Sequence, residues 1–170
     1  MSSGFASGAF SFNNIPYGEW IVKEVAAPTG YVVDATQHHI HISDDGVVIN
    51  ITMIDKQVQI SKTDITGEKE VVGAELTITD ESGNVIDSWT STDTAHYANG
   101  LVEGQKYTLT EKTAPYGYEV ANSIVFVVTN DKATQTVVMN DSPILSSVLV
   151  NKVDSITGEN IISKKFEFTL

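Results

Sequence analysis

Three ionisable residues each end a predicted apolar strand face in this sequence. Side chains alternate between the two faces of a β-strand, so residues two positions apart share a face. The three faces are Val58, Ile60 and Lys62; Tyr107, Leu109 and Glu111; and Val137, Met139 and Asp141. Because the apolar face of a strand is its inner face, we expect Lys62, Glu111 and Asp141 to point towards the core.

A buried lysine with two buried carboxyl groups has two possible fates. Isolated charges are costly to bury, so such groups either form an ion cluster or lose their charges. A neutral amine beside a neutral carboxylic acid is a reactive pair, since the amine can attack the carboxyl carbon while a second carboxyl group shuttles protons. Close contact and the exclusion of water both favour this condensation. The side-chain pattern alone is consistent with either an ion cluster or an amide cross-link.

Each of the three faces occurs a second time in the chain. The copies are Trp20, Val22 and Glu24; Ile51, Met53 and Asp55; and Val148, Val150 and Lys152. The copies indicate a repeat of about 90 residues, which is the size of a small β-sandwich module. We therefore expect residues 1–56 to be the C-terminal part of one module, 57–145 a complete module, and 146–170 the N-terminal part of a following module.

The composition predicts an all-β fold. Apolar residues make up 41% of the 170-residue chain, which is enough for a packed core. Val, Ile and Thr are abundant and suit strands, and no long segment has apolar residues at helical spacing. Turn signals separate roughly seven strand-like runs within residues 57–145, as an immunoglobulin-like or prealbumin-like sandwich requires. The predicted architecture is a tandem array of such sandwiches, with one complete and two partial modules.

Charge and composition exclude several function classes. The formal net charge is −12, from 22 acidic and 10 basic residues, and this charge opposes binding to nucleic acids or anionic membranes. The chain has no cysteine, which excludes disulfides and thiol chemistry. His39 and His41 would share a strand face, but alternating exposed residues on an edge strand explain them, and we expect no metal or cofactor. Residues 1–4 lack a signal-peptide pattern, so we expect any export signal or anchor outside this chain.

The motifs resemble those of a known family. Residues 61–64, 73–74, 107–118 and 138–141, together with their copies, are similar to the CnaB-type, SpaA-like prealbumin-like repeats of Gram-positive surface adhesins and pilins. The parent domain of the SpyCatcher and SpyTag pair belongs to this group. The resemblance covers residues 57–145 fully and extends into both flanking segments.

The resemblance implies a role for each of the three residues. In this family a strand lysine forms an isopeptide bond with a late-strand Asn or Asp, assisted by a glutamate. Carried over by motif, Lys62 is the nucleophile, Glu111 the catalytic proton shuttle and Asp141 the acceptor. Asn140 is the alternative acceptor, but strand parity favours Asp141, and Ile54 offers no amide at the equivalent position before Asp55. The reaction is autocatalytic with a single turnover, so the protein is not expected to be an enzyme.

The resemblance also implies a setting. We expect a stalk or spacer module of an adhesin or pilin, outside the cell on the wall-attached surface of a Gram-positive bacterium, with neighbouring modules of the same protein as its partners. Two alternatives remain open. One is a module that binds a host extracellular matrix protein or glycan. The other is head-to-tail self-association, in which Lys152 of one chain bonds Asp55 of the next, with Glu24 in the role of Glu111.

Overall fold

The structure, a computed structural model, describes residues 8–131, 133–162 and 167–169. These residues form nine strands and no helix: β1 Gly18–Val22, β2 His38–Ile42, β3 Val58–Asp64, β4 Glu75–Asp80, β5 Val85–Thr90, β6 His96–Tyr97, β7 Lys106–Thr113, β8 Ile124–Val127 and β9 Gln135–Asp141. No helix in this part of the chain could span a membrane. Residues 1–4, considered above for an export signal, lie outside the described residues.

Seven strands form a two-layered sandwich. One layer has the order β6-β3-β9 and the other β5-β4-β7-β8. Neighbouring strands are antiparallel except β3 and β9, the first and last strands of the sandwich, which run parallel. Side chains from both layers fill one core, which includes Ile60, Leu76, Ile78, Leu109 and Met139. The all-β sandwich predicted from the sequence is confirmed.

The alternation of side chains along the strands follows the sequence pattern. On β3, Val58, Ile60 and Lys62 are buried, whereas Gln59 and Ser61, which alternate with them, are partly exposed. Strand β9 shows the same alternation, with Val137 inside and exposed residues between the inward positions. This pattern is that of a strand with one face on a core and one face towards solvent.

The segment before the sandwich forms its own two-stranded sheet and also contacts the sandwich. Strands β1 and β2 pair antiparallel over five residues each. Between β1 and the sandwich, Val32 forms an isolated bridge with Lys56, and Val33 forms a parallel bridge with Val102. The side chain of Val32 is 1% exposed and belongs to the core of the sandwich. The preceding segment is therefore packed against the sandwich.

The segment after the sandwich repeats its first turn but not its first strand. Asp154 accepts a backbone hydrogen bond from Gly158 and donates one to Glu159, and Ile161 donates to Lys152 in the same way that Val71 donates to Lys62. Neither residues 148–152 nor residues 51–55 form a ladder within the described part of the chain. A strand needs a hydrogen-bonded neighbour. In the sandwich the equivalent strands, β3 and β9, pair with each other.

Candidate cross-linking site

Lys62 and Asp141 meet because β3 and β9 lie side by side. The parallel register pairs Lys62 with Met139, so Asp141 stands two positions further along β9 on the same inward face. The long lysine side chain reaches along the strand, and its Nζ atom contacts Asp141 Oδ1. These two residues are 79 positions apart in the chain.

Glu111 joins this pair from the opposite layer. It lies on β7, where its neighbour across the ladder is the core residue Leu76. Glu111 Oε1 is 3.3 Å from Lys62 Nζ. The side chains of the three residues are almost completely enclosed, with an exposed fraction of 2% for Lys62 and 0% for Glu111 and Asp141. The cluster of Lys62, Glu111 and Asp141, called the buried triad below, therefore bridges the two layers inside the core.

The hydrogen-bonding of the buried triad is incomplete. Within the described residues, neither Glu111 Oε1 nor Asp141 Oδ2 has a hydrogen-bond partner. Glu111 Oε2, in contrast, accepts a hydrogen bond of 2.6 Å from the backbone N–H of Ala121. This bond fixes one oxygen of Glu111 and leaves the other facing the lysine.

The backbone of β3 at Lys62 is also anchored. Glu70 accepts a hydrogen bond of 2.7 Å from the Lys62 N–H and one of 2.5 Å from the Ser61 hydroxyl. Neither Glu70 nor the donor Ala121 was predicted from the sequence, because strand parity shows which face a side chain occupies but not which groups it bonds. The same bond at the same interval of ten residues joins Asp34 to Glu24, but this repetition is visible only in the structure.

The alternative acceptor Asn140 lies on the other face of β9. Its side chain is exposed, and its Oδ1 accepts a hydrogen bond of 2.9 Å from the Thr63 hydroxyl. The structure thus brings Asp141, and not Asn140, into contact with Lys62.

Glu24 repeats the environment of Glu111 in part. The backbone N–H of Asp34 donates a 2.6 Å hydrogen bond to Glu24 Oε2, just as Ala121 does to Glu111. Burial raises the pKa of Glu24, and the charges of Asp55 and Asp34 raise it further, against the lowering effect of the Asp34 hydrogen bond. Asp55 itself is exposed and outside any strand, as is Lys152. The partial-module residues therefore do not form a second buried triad.

One histidine of the run, His41, lies beside a glutamate of the neighbouring strand. His41 Nδ1 lies 2.6 Å from Glu19 Oε1 across the β1–β2 ladder. In the described ranges no three His, Cys, Asp or Glu side chains are placed to hold a metal ion.

Comparison with known proteins assigns the chain to a family. The fold is an all-β sandwich in which the first strand, β3, pairs with the last strand, β9. Two adjacent segments, residues 5–57 and 56–143, each match the family described as SpaA, prealbumin-like fold domain. Because these matches cover most of the chain, the protein belongs to the SpaA prealbumin-like fold domain family, which is a structural family and not an enzyme family.

Three solved structures are among those similar to this chain. The Bacillus anthracis TIE protein is 24% identical, with a TM-score of 0.44, over 77% of this chain and 26% of that one. The shaft pilin SpaA from Lactobacillus rhamnosus GG is 16% identical, with a TM-score of 0.44, over 78% and 66%. The group B streptococcus pilus 2b backbone protein is 17% identical, with a TM-score of 0.46, over 72% and 53%.

The chain thus spans about a quarter of the first of these proteins and about two thirds or less of the others. No curated protein sequence matches it.

Proposed function

We propose that this chain is a load-bearing stalk segment of a Gram-positive surface adhesin or pilin, and that an autocatalytic isopeptide bond between Lys62 and Asp141 closes its central module. The observation that carries the proposal is the buried triad, in which an amine touches one carboxyl group and lies beside a second, with all three enclosed by the core.

The enclosure of the triad favours condensation over a lasting ion cluster. Two buried carboxylates and one ammonium leave an excess negative charge in the core, which is costly without further donors. Two carboxylate oxygens of the triad have no hydrogen-bond partner in the described part of the chain. An amide between Lys62 and Asp141 removes one positive and one negative charge from the core, and the remaining carboxyl group, that of Glu111, keeps its hydrogen bond from the Ala121 N–H.

The reaction balances without an outside reagent. Proton transfer from the Lys62 ammonium to the Asp141 carboxylate that it contacts gives a neutral amine and a neutral carboxylic acid. The Nζ lone pair attacks Asp141 Cγ, the C–O bond to the hydroxyl group breaks, and one water molecule leaves. Glu111 takes the proton that the nitrogen loses and delivers it to the departing hydroxyl group. The Ala121 N–H orients Glu111 for this transfer.

The position of the bond suits a stalk. Lys62 is on the first strand of the sandwich and Asp141 is the last residue of its final strand. A covalent link between them, across a sequence separation of 79 positions, lets tension enter through β3 and leave after β9 without loading the chain in between. Membership of the SpaA prealbumin-like fold domain family supports this assignment.

Peptide mapping tests the proposed bond. Proteolysis of the denatured chain should release a branched peptide that joins the Lys62 segment to the Asp141 segment. The Lys62→Arg variant keeps a cation but cannot form the amide, and should yield only the two linear peptides. Two linear peptides from the wild-type chain would contradict the proposal.

The head-to-tail alternative uses the resemblance between Glu24 and Glu111. The shared backbone hydrogen bond, from Asp34 in one case and Ala121 in the other, is the observation that favours it. A cross-link between Lys152 of one chain and Asp55 of another would survive boiling in denaturant as a ladder of covalent multimers. A single monomer band would leave the intramolecular bond as the only cross-link to consider.

The host-binding alternative makes a different prediction. Immobilised matrix proteins would retain the chain at micromolar concentration if the module itself bound a host protein, whereas a spacer module would pass through.

A further inference from the structure

The contact between residues 30–34 and the sandwich is formed by both backbone groups of one residue. The N–H of Val33 donates to the Leu101 carbonyl at 2.9 Å, and its carbonyl accepts from the Glu103 N–H at 3.1 Å. These two bonds form the parallel bridge between Val33 and Val102. Residues 30–34, called the docking corner below, thus add a short strand-like edge to the loop of residues 98–103.

Side chains make the same contact specific. Val32 inserts into the sandwich core and is 1% exposed. Gly30, at φ +81°, donates its N–H to Asn99 Oδ1 at 2.8 Å. A Cβ atom at Gly30 would lie 3.4 Å from Tyr97 Cβ on β6. The docking corner is therefore packed closely against the sandwich on two sides.

An enclosed ion pair closes the contact. Lys56, the last residue before the central module, is 9% exposed, and its Nζ atom lies 3.2 Å from Glu103 Oε2 and 3.3 Å from the Thr129 carbonyl. Glu103 is the residue whose N–H bonds to Val33. The backbone, apolar and ionic contacts therefore converge on one loop of the central module.

The docking corner is a regular part of the repeat. Val32 N–H donates to the Lys56 carbonyl, and Glu119 N–H donates to the Ser142 carbonyl in the corresponding corner of the central module. In both modules, therefore, the same kind of backbone hydrogen bond joins this corner to the end of its own module. What distinguishes the first corner is that a following module covers it.

We propose that residues 30–34 are a docking element through which one SpaA-like module locks onto the next, with the loop of residues 98–103 as its receptor. The partner is the module that follows in the same chain, and residues 57–145 alone lack one buried core residue. This interface fixes the orientation of successive modules. It is separate from the buried triad and does not depend on the isopeptide bond.

Hydrogen–deuterium exchange of the full chain tests this interface. Val33→Pro removes the N–H that bonds Leu101 while keeping an extended backbone. Val32→Asp places a carboxylate in the core. Val25→Asp is the matched control, because Val25 lies in the same segment but is 79% exposed. In both test variants we expect the Glu103 amide to exchange at least about tenfold faster than in the wild type, with the control unchanged.

The exchange rate of the Glu103 amide distinguishes the two outcomes. Faster exchange confined to residues 98–103, or a wider loss of protection from the sandwich in the Val32→Asp variant, supports docking. Exchange at Glu103 that stays within about twofold of the wild type in the Val33→Pro variant overturns it. The intact mass of each sample reports the isopeptide bond independently, so failure of the docking proposal is distinguishable from failure of the proposed cross-link.

Discussion

The resistance of the central module to stretching follows from where its ends lie. Strand β3 starts the sandwich and β9 ends it, and the two strands pair in parallel over seven residues. A force that pulls the chain at residues 57 and 142 therefore shears this ladder. With the Lys62–Asp141 bond in place, the force passes from β3 to β9 through covalent bonds before the ladder is loaded.

The expected difference in length can be calculated from the sequence separation. The bond excludes 79 residue positions from the load path. A fully extended chain spans about 3.3–3.6 Å per residue, so a module without the bond should lengthen by about 260–280 Å more than a module with it. This length is far larger than the folded separation of the two bonded side chains.

The perturbation that removes the bond with the least damage is Glu111→Gln. The glutamine keeps the size of the side chain and can still accept the Ala121 hydrogen bond, but it cannot take a proton from Lys62. Glu119→Gln is the matched control, because Glu119 is exposed on the segment that follows the same strand. Intact mass identifies which molecules lack the bond before they are stretched.

Single-molecule force spectroscopy of the full chain, held at its two ends, measures the extension. We expect unbonded Glu111→Gln molecules to unfold with the additional length, and wild-type and Glu119→Gln molecules to show no such step. The load-path reasoning is refuted if wild-type molecules release the full length, or if unbonded molecules do not.

Two further predictions concern the ion pair between Lys56 and Glu103 and the carboxylate of Asp87 on β5. Lys56→Met should destabilise the full chain by about 3 kcal/mol in urea unfolding, because it leaves the largely buried Glu103 without its cation. Glu103→Leu in the same chain should recover most of the loss, and no recovery would mean that the ion pair is not the cause. Burial raises the pKa of Asp87, but hydrogen bonds from His96 and Asn99 outweigh this effect and hold the pKa below its ordinary 3.8. Asp87 therefore stabilises the fold above that ordinary value, and this stability is lost as the pH falls towards the lowered pKa. Unfolding measured between about pH 5 and 2 should show a shallower loss for Asp87→Asn than for the wild type, and equal slopes would contradict the assignment.

Strand parity predicted most of the buried triad. Lys62 follows two buried apolar residues on β3 at intervals of two, and Asp141 follows Val137 and Met139 on β9 in the same way. A period of two specifies which face a side chain occupies, so it also placed Asn140 on the opposite face.

Other features could not be read from periodicity. The pattern on β7 indicates that Glu111 points inward, but it does not say that β7 lies in the layer opposite β3. That assignment depends on strand order, which long-range pairing determines. The donor to Glu111 is the backbone N–H of Ala121, which leaves no side-chain signal, so this contact could not be predicted from the sequence.

The docking corner shows a further limit. Val32 lies outside the predicted central module, in a segment without strand alternation, yet its side chain completes the core of the sandwich. Sequence repeats mark where a module starts and ends by similarity. They do not show which residues of one module pack into the next, since that depends on contacts across the boundary.

The intact mass of the denatured chain tests the cross-link most directly. We predict a mass one water molecule below the value calculated from the sequence, with the Lys62→Arg variant at its full calculated mass. A mass lower by one ammonia would move the acceptor to Asn140. A wild-type mass equal to the calculated value would mean that Lys62, Glu111 and Asp141 form only an ion cluster, and would contradict the account.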